Sequence, residues 1–317
     1  MPLFKVFLVP ASVLLAAAAL AAPPADAHAQ AHAQFPVNWD YAVGDIAGFA
    51  YPDTPPPGAD NWACQPTAEH PYPVILVNGT FANQDDNWQA AAPLLADNGY
   101  CVFTFNYGGT GDVTATGDIA TSATELASFV SQVLTATGAA QVDLVGHSQG
   151  GMMPRYYLKF LGGAPYVHTL VGLAPSNHGT TVDGIGTLVN DLSSIGDLSG
   201  EISPTCTACG EQEAGSAFLT SLNAGGDTVA GVSYTVIETR NDEVVTPYTS
   251  AFLSGPDVTN IIVQNQCPLD QSDHLELAAD PVALADVLNA LDPAAPVPVP
   301  CLVVLPLTGP VGPVPPF

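Results

Sequence analysis

The chain has 317 residues, six cysteines and a formal net charge of −26, from four Lys and Arg set against thirty Asp and Glu. So few cations cannot neutralise a phosphate backbone, which excludes nucleic acid as a partner and disfavours anionic membrane surfaces. Beyond a leader-like N-terminus, the chain is long enough for a single large α/β domain with a sizeable core.

Residues 1–27 read as a secretory signal, with Lys5 at the basic start, an apolar stretch from Val6 to Leu20, and small residues after it. Overlapping A-x-A patterns at Ala25-Asp26-Ala27, Ala27-His28-Ala29 and Ala31-His32-Ala33 place cleavage between 27 and 33. Pro10 and the shortness of the apolar stretch argue against a membrane anchor. No second long apolar run occurs, so a soluble, secreted, extracellular product is expected. Cys64, Cys101, Cys206, Cys209, Cys267 and Cys301 are an even set, which in an exported protein implies disulfides. The sequence itself leaves their pairing open.

From Pro73 strand and helix patterns alternate, which predicts an α/β fold with a mostly parallel sheet and helices on both faces. Pro73 to Val77 is a short strand, Gln84 to Asn98 a helix ended by Gly99, and Tyr100 to Phe105 the next strand. Asp118 to Thr137 is a helix with Ile119, Leu126, Phe129, Val130, Val133 and Leu134 on one face, stopped by Gly138. Gln141 to Val145 is a strand, followed by a helix to about Leu161 and a strand from His168 to Leu173. Val232 to Ile237 and Val258 to Val263 are the last strands, and Asp280 to Leu291 closes the domain, with Pro281 in its first turn. Asp183 to Leu222 reads as an insertion over the strand ends. Its Leu188, Leu192 and Ile195 are spaced for a helix that either forms a mobile amphipathic cover or packs on the sheet. The catalytic domain is thus expected over 34–292. A tail over 293–317, with nine prolines, should be extended, tied by Cys301 and otherwise loosely held.

Gly146-His147-Ser148-Gln149-Gly150 falls between a strand and a helix, the one context in which G-x-S-x-G carries chemistry. A serine on such a turn is lifted clear of the sheet, and the helix N-terminus behind it offers N–H groups to an oxyanion. The base and acid come after it in the order Ser, acid, His. His168 opens the strand directly after the nucleophile helix, and His178 comes only one strand end later. His274 alone leaves room for an acid-bearing strand before it, so it is the expected base. Glu238, Asp242 and Glu243 all come directly after the strand at Val232–Ile237, whereas Asp270 and Asp273 share the loop of His274. Asp242 is the expected acid. The Gln149 N–H is one expected oxyanion donor, and Thr80, on the loop after the first strand, supplies the other. His147 is expected to be structural.

The segments Val77 to Asn83, Gly99 to Phe103, Val142 to Gly151 and Asn241 to Tyr248 resemble those of secreted bacterial class 2 lipases and of the lipases related to lipase B of Candida antarctica, α/β-hydrolases all. The resemblance runs from about Cys64 to Leu291 with its blocks in the same order. It implies Ser148, Asp242 and His274 as a triad, Thr80 and Gln149 as oxyanion donors, and no metal or cofactor. It also implies disulfides Cys64–Cys101 and Cys267–Cys301. Cys206 and Cys209 have no counterpart in it, and lacking a second half-site for zinc they suggest a local disulfide. The elbow differs at Gly146-His147, and so does the 183–222 insertion.

The function expected is hydrolysis of lipid or other carboxylic esters through an acyl-enzyme on Ser148, by a monomer in transient contact with a lipid–water interface. A cutinase-like polyester hydrolase or short-chain esterase would use the same triad. A peptidase or acyltransferase shares the chemistry, and a silent hydrolase fold used for binding is argued against by the complete Ser, Asp and His set.

Overall fold

The computed structural model describes residues 2–3, 35–109, 113–195 and 206–316. Apart from residues 2–3, the signal-like segment lies outside the described residues, as does the middle of the 183–222 insertion. The elements in order are α1 (Tyr41–Phe49), β1 (Val74–Val77), α2 (Ala91–Asp97), β2 (Val102–Thr104), α3 (Ile119–Thr137), β3 (Val142–His147), α4 (Gln149–Phe160) and β4 (Val167–Leu173). After these come α5 (Val182–Ile195), α6 (Thr207–Glu211), α7 (Ala217–Asn223), β5 (Ser233–Glu238), β6 (Val258–Ile262), α8 (Val263–Gln266), α9 (Pro281–Leu291) and the short pair β7 (Val304–Leu305) and β8 (Gly309–Pro310).

β1 to β6 form one parallel sheet in the order β2-β1-β3-β4-β5-β6. Successive side chains of a strand point to opposite faces, and both faces here are apolar. Val74 and Leu76 of β1 face a core built with α1, α2, α9 and the tail. Ile75 and Val77 face the other core, under α3 and α4. Burial on both sides explains why these strands read as unbroken apolar runs. β1 leads outward to β2, and β3 then returns to the other side of β1. That reversal makes the carboxyl ends of β1 and β3 a switch point, where α/β sheets leave a crevice.

Most predicted elements are present. Asp118 caps α3 by accepting from Thr121 N at 2.7 Å, and Gly138 ends it with φ 71°. One predicted helix is divided. Asn83 Oδ1 accepts from Asp85 N and Asp86 N, and Asp86 Oδ1 accepts from Asn83 N. These local bonds compete with helix formation. A 3₁₀ turn at Asp86–Trp88 and the short α2 stand in place of a helix over Gln84–Asn98.

The tail is held more firmly than its composition suggests. Besides the Cys267–Cys301 disulfide, Val304 is fully buried and its carbonyl accepts from Gln271 N at 2.9 Å. Asn289 bonds Val297 N and O, and Leu307 O accepts from Ala42 N. The tail docks through the carbonyls of Val297, Val304 and Leu307 and through Val297, Val299, Leu302 and Leu307, which pack against the core. Cys64–Cys101 and Cys206–Cys209 are the other disulfides.

Candidate active site

Ser148 joins β3 to α4 with φ 55° and ψ −123°, a strained backbone for a residue bearing a side chain. The turn closes only because its flanking residues are glycines. A Cβ on Gly146 would lie 1.9 Å from Gly150 O, and one on Gly150 would lie 2.0 Å from Val77 O. The N–H of Gln149, the first of α4, lies at the helix N-terminus without an intrahelical acceptor.

The loop after β1 comes to the same place, since Val77 pairs with Gly146 in the sheet. A Cβ on Gly79 would stand 3.2 Å from Ser148 Cβ. Asn87 Oδ1 fixes this loop by accepting from Gly79 N at 2.7 Å, and its Nδ2 lies 3.1 Å from His147 Nδ1. The other ring nitrogen of His147 lies 3.0 Å from the carbonyl oxygen of His274. A carbonyl can only accept, so His147 Nε2 carries the proton and Nδ1 accepts from Asn87. Burial is the main cause holding the His147 pKa down, to about 3, which keeps the ring neutral. His147 is thus the structural residue expected: it latches the Ser148 turn to the His274 loop.

His274 Nδ1 lies 3.0 Å from Asp242 Oδ2, and both side chains are fully buried. Asp242 Oδ1 accepts from Val244 N and Val245 N at 2.8 and 2.7 Å, which fixes the carboxylate. Thr239 Oγ1 donates to Ser272 O and joins the two loops. Burial disfavours the His274 imidazolium, but the carboxylates of Asp242, Glu243 and Asp273 outweigh it and raise the pKa. Nε2 of His274 is buried with no hydrogen-bond partner. Buried polar atoms are nearly always paired, so one left open beside the Ser148 turn calls for a functional explanation.

Glu238, at the end of β5, is fully buried, and burial followed by the Asp242 charge raises its pKa well above the carboxylate range. Burial and the Asp242 charge thus favour the protonated form of Glu238, which orients an imidazolium less well than a carboxylate does. Asp270 turns to Ser272, and Asp273 accepts from Glu276 N. His168 pairs with Asp143 and His178 with Asp227. The structure therefore brings Thr80, Ser148, Gln149, Asp242 and His274 together at one end of the sheet, with Glu238 beside Asp242, while His168 and His178 pair with other carboxylates. Asn87, Glu238 and Gln212, which bonds Thr80 and Gln149, belong to the site but to no motif.

The insertion borders it. Leu188 and Leu192 of α5 are buried in the α1/α9-side core, so this face of α5 packs into the core. A Cβ on Gly184 would stand 2.1 Å from Val244 O, which shows how closely α5 meets the Asp242 turn.

Comparison with known proteins gives the lineage. A profile of the family described as Lipase (class 2) matches residues 71–285. A triacylglycerol lipase of Burkholderia plantarii is 39% identical over 127 residues, 38% of this chain and 34% of that one. A triacylglycerol lipase of Pseudarthrobacter phenanthrenivorans is 42% identical over 91 residues, 27% of each chain. The matched segments thus span about a third or less of these relatives' own length. The crystal structure of Aspergillus fumigatus lipase B is similar with a TM-score of 0.60 and 21% identity, covering 80% of this chain and 61% of that one, a likeness of fold. With the parallel sheet and the elbow between β3 and α4, the fold is that of the α/β-hydrolases, and the chain belongs to the class 2 lipase family.

Proposed function

We propose that this protein is a secreted serine ester hydrolase of the triacylglycerol lipase kind, working through an acyl-enzyme on Ser148. The observation that carries the reading is the buried His274–Asp242 pair, with His274 Nε2 left open, beside a strained serine turn. Asp242 holds the tautomer in which Nδ1 bears a proton and Nε2 is the base. His274 takes the hydroxyl proton as Ser148 Oγ bonds to the ester carbonyl carbon. The N–H of Gln149 and the hydroxyl of Thr80 meet the developing oxyanion. The carbonyl then re-forms, the alkoxide leaves with the proton from His274, and water repeats the sequence to release the acid. The names of the bacterial relatives support glycerol esters as substrates. The signal-like N-terminus and three disulfides support secretion. The protein acts as a monomer in transient contact with the lipid–water interface.

The test is hydrolysis of a tributyrin emulsion and of p-nitrophenyl esters from acetate to palmitate. Ser148→Ala and His274→Ala should retain their fold and fall to the residual catalysis of binding and oxyanion contacts, about 10³–10⁴ over water. Asp242→Asn should lose about 10⁴ in kcat, and Glu238→Gln far less, since an amide can replace a neutral acid. Near-normal turnover by folded Ser148→Ala refutes the assignment. Activity confined to acetate esters would refute the lipase reading and leave a short-chain esterase.

A further inference from the structure

We infer that Gln212 is a positioning residue that frees the Thr80 hydroxyl to meet the oxyanion, an inference that rests on the site proposed above. Gln212 comes directly after α6, is 2% exposed, and lies 132 residues from Thr80 and 63 from Gln149 in sequence. Its Nε2 stands 2.8 Å from Thr80 Oγ1, 2.9 Å from Gln149 Oε1 and 3.2 Å from Ala208 O. The Ala208 carbonyl can only accept, so the atom facing it is the amide nitrogen and the side chain's orientation is settled. Ser176 Oγ donates to Gln212 Oε1 at 2.8 Å from the opposite side and locks the amide in its plane.

Counting protons shows what this arrangement does. The Gln212 amide has two hydrogens for three acceptors, but Ala208 O already accepts from Gln212 N at 3.0 Å, so the two hydrogens can serve Thr80 and Gln149. Thr80 donates its single hydroxyl proton to Gln149 Oε1 at 3.1 Å, so that oxygen receives two donors. The Thr80 proton is therefore redundant at Gln149. When it turns toward an oxyanion, Gln149 Oε1 keeps its bond from Gln212, and no buried acceptor is orphaned. The bond that Gln212 makes to the Thr80 oxygen also polarises the hydroxyl and strengthens its donation. Without Gln212, the same turn would strip Gln149 Oε1 of both partners. Thr80 would then be held to Gln149 at the moment the charge develops. The Cys206–Cys209 disulfide staples the first turn of the short helix that carries Ala208, and Gln212 is the C-cap of that helix.

The experiment is a double-mutant cycle on p-nitrophenyl butyrate, with near-ultraviolet circular dichroism and melting temperature recorded for each variant. Thr80→Val should lower kcat by about 10²–10³, as loss of one oxyanion donor does. Gln212→Met, similar in shape, should lower kcat about tenfold with little change in KM and an unshifted pH profile, because a shared hydroxyl is only partly lost. In the Thr80→Val background, Gln212→Met should change kcat by less than about twofold, since the group it acts through is gone. Should Gln212→Met fold poorly, Ser176→Ala keeps the amide but loosens it, and a smaller kcat loss that also vanishes in the Thr80→Val background is expected. Losses that multiply in the double variant, or a loss in KM alone, overturn the positioning role while leaving the oxyanion assignment intact. Thr80→Val with full activity overturns the oxyanion assignment itself and this inference with it.

Discussion

Gly150 and Gly186 show how differently two glycines of one chain are used. A methyl on Gly150 would run into the main chain of Val77 and Asn78, the strand end that carries the Thr80 loop. A methyl on Gly186, in α5, would meet no atom within 4 Å. Gly150→Ala should therefore destabilise the protein by about 3 kcal/mol or more and abolish activity, because the elbow can relax only by moving β1 or β3. Gly186→Ala should be neutral or stabilise it by about 0.5–1 kcal/mol, the gain of replacing an exposed helical glycine. Chemical denaturation of both variants checks the contrast. Comparable losses at the two positions would contradict the packing described for the elbow. Two of the rare cations are similarly committed. Arg155 reaches Asp227 O, Asn177 O and Oδ1, and Asn223 Oδ1. Lys159 Nζ is bonded to the carbonyls of Leu222, Ala224 and Gly226. Together they tie α4 to the chain before β5.

At the scale of elements, α5 joins the insertion to the site. Leu192 is 1% exposed and belongs to the same core as Val244 and Leu275, neighbours in sequence of the Asp242 and His274 turns. Leu192→Ala should cost about 2–5 kcal/mol and reduce hydrolysis of short and long acyl esters alike, because it loosens the wall behind the histidine. Selective loss on palmitate without a change in melting temperature would show that α5 lines an acyl channel instead. The strands, α3, α9 and the strand–elbow–helix unit could be read from sequence because each rests on a local rule: apolar runs, Asp118 and Gly138 as caps, glycines where a turn is crowded. The order Ser, acid, His then selected Asp242 and His274 from many carboxylates and seven histidines. What escaped depends on distant partners. α1 contains Gly44 and Gly48, poor helix residues kept because α1 packs against the turn at Asp85–Asp86. The tail is ordered by contacts to Gln271, Asn289 and Ala42. Gln212 has no motif, since its meaning comes only from the side chains that the fold brings to it.

The whole molecule carries its acidity inside as well as outside. Burial is the largest cause raising the pKa of Asp45 and Glu243 to about 7 and of Asp85 and Asp286 to about 6. Glu238, Glu276 and Asp280 are raised well above the carboxylate range, again chiefly by burial. A carboxyl with a raised pKa keeps a proton in the folded state that the unfolded chain releases. Its stabilising effect is complete below the unfolded value and is lost as pH rises through the folded one. His274, also raised, acts in the same direction. His147 is held low and contributes above its ordinary value of 6.5, losing that contribution only as pH falls. Asp118 and Asp227, held low, do likewise in the acid range. Above pH 6.5 the raised carboxyls therefore dominate, and the melting temperature should fall between pH 6.5 and pH 8. Glu243→Gln should flatten that fall. A melting temperature that rises across the same interval would contradict these assignments.

The chemistry assigned to Ser148 is open to a direct chemical measurement. The protein is incubated with a p-nitrophenyl alkylphosphonate, which expels p-nitrophenolate when an activated serine attacks it. One equivalent of p-nitrophenolate should be released, and peptide mass spectrometry should find the phosphonyl group on Ser148 alone. Labelling should collapse in His274→Ala, where the serine keeps its turn but loses its base. Phosphonylation at another residue, or undiminished labelling of Ser148 in His274→Ala, would contradict the assignment of Ser148 as a nucleophile activated by His274.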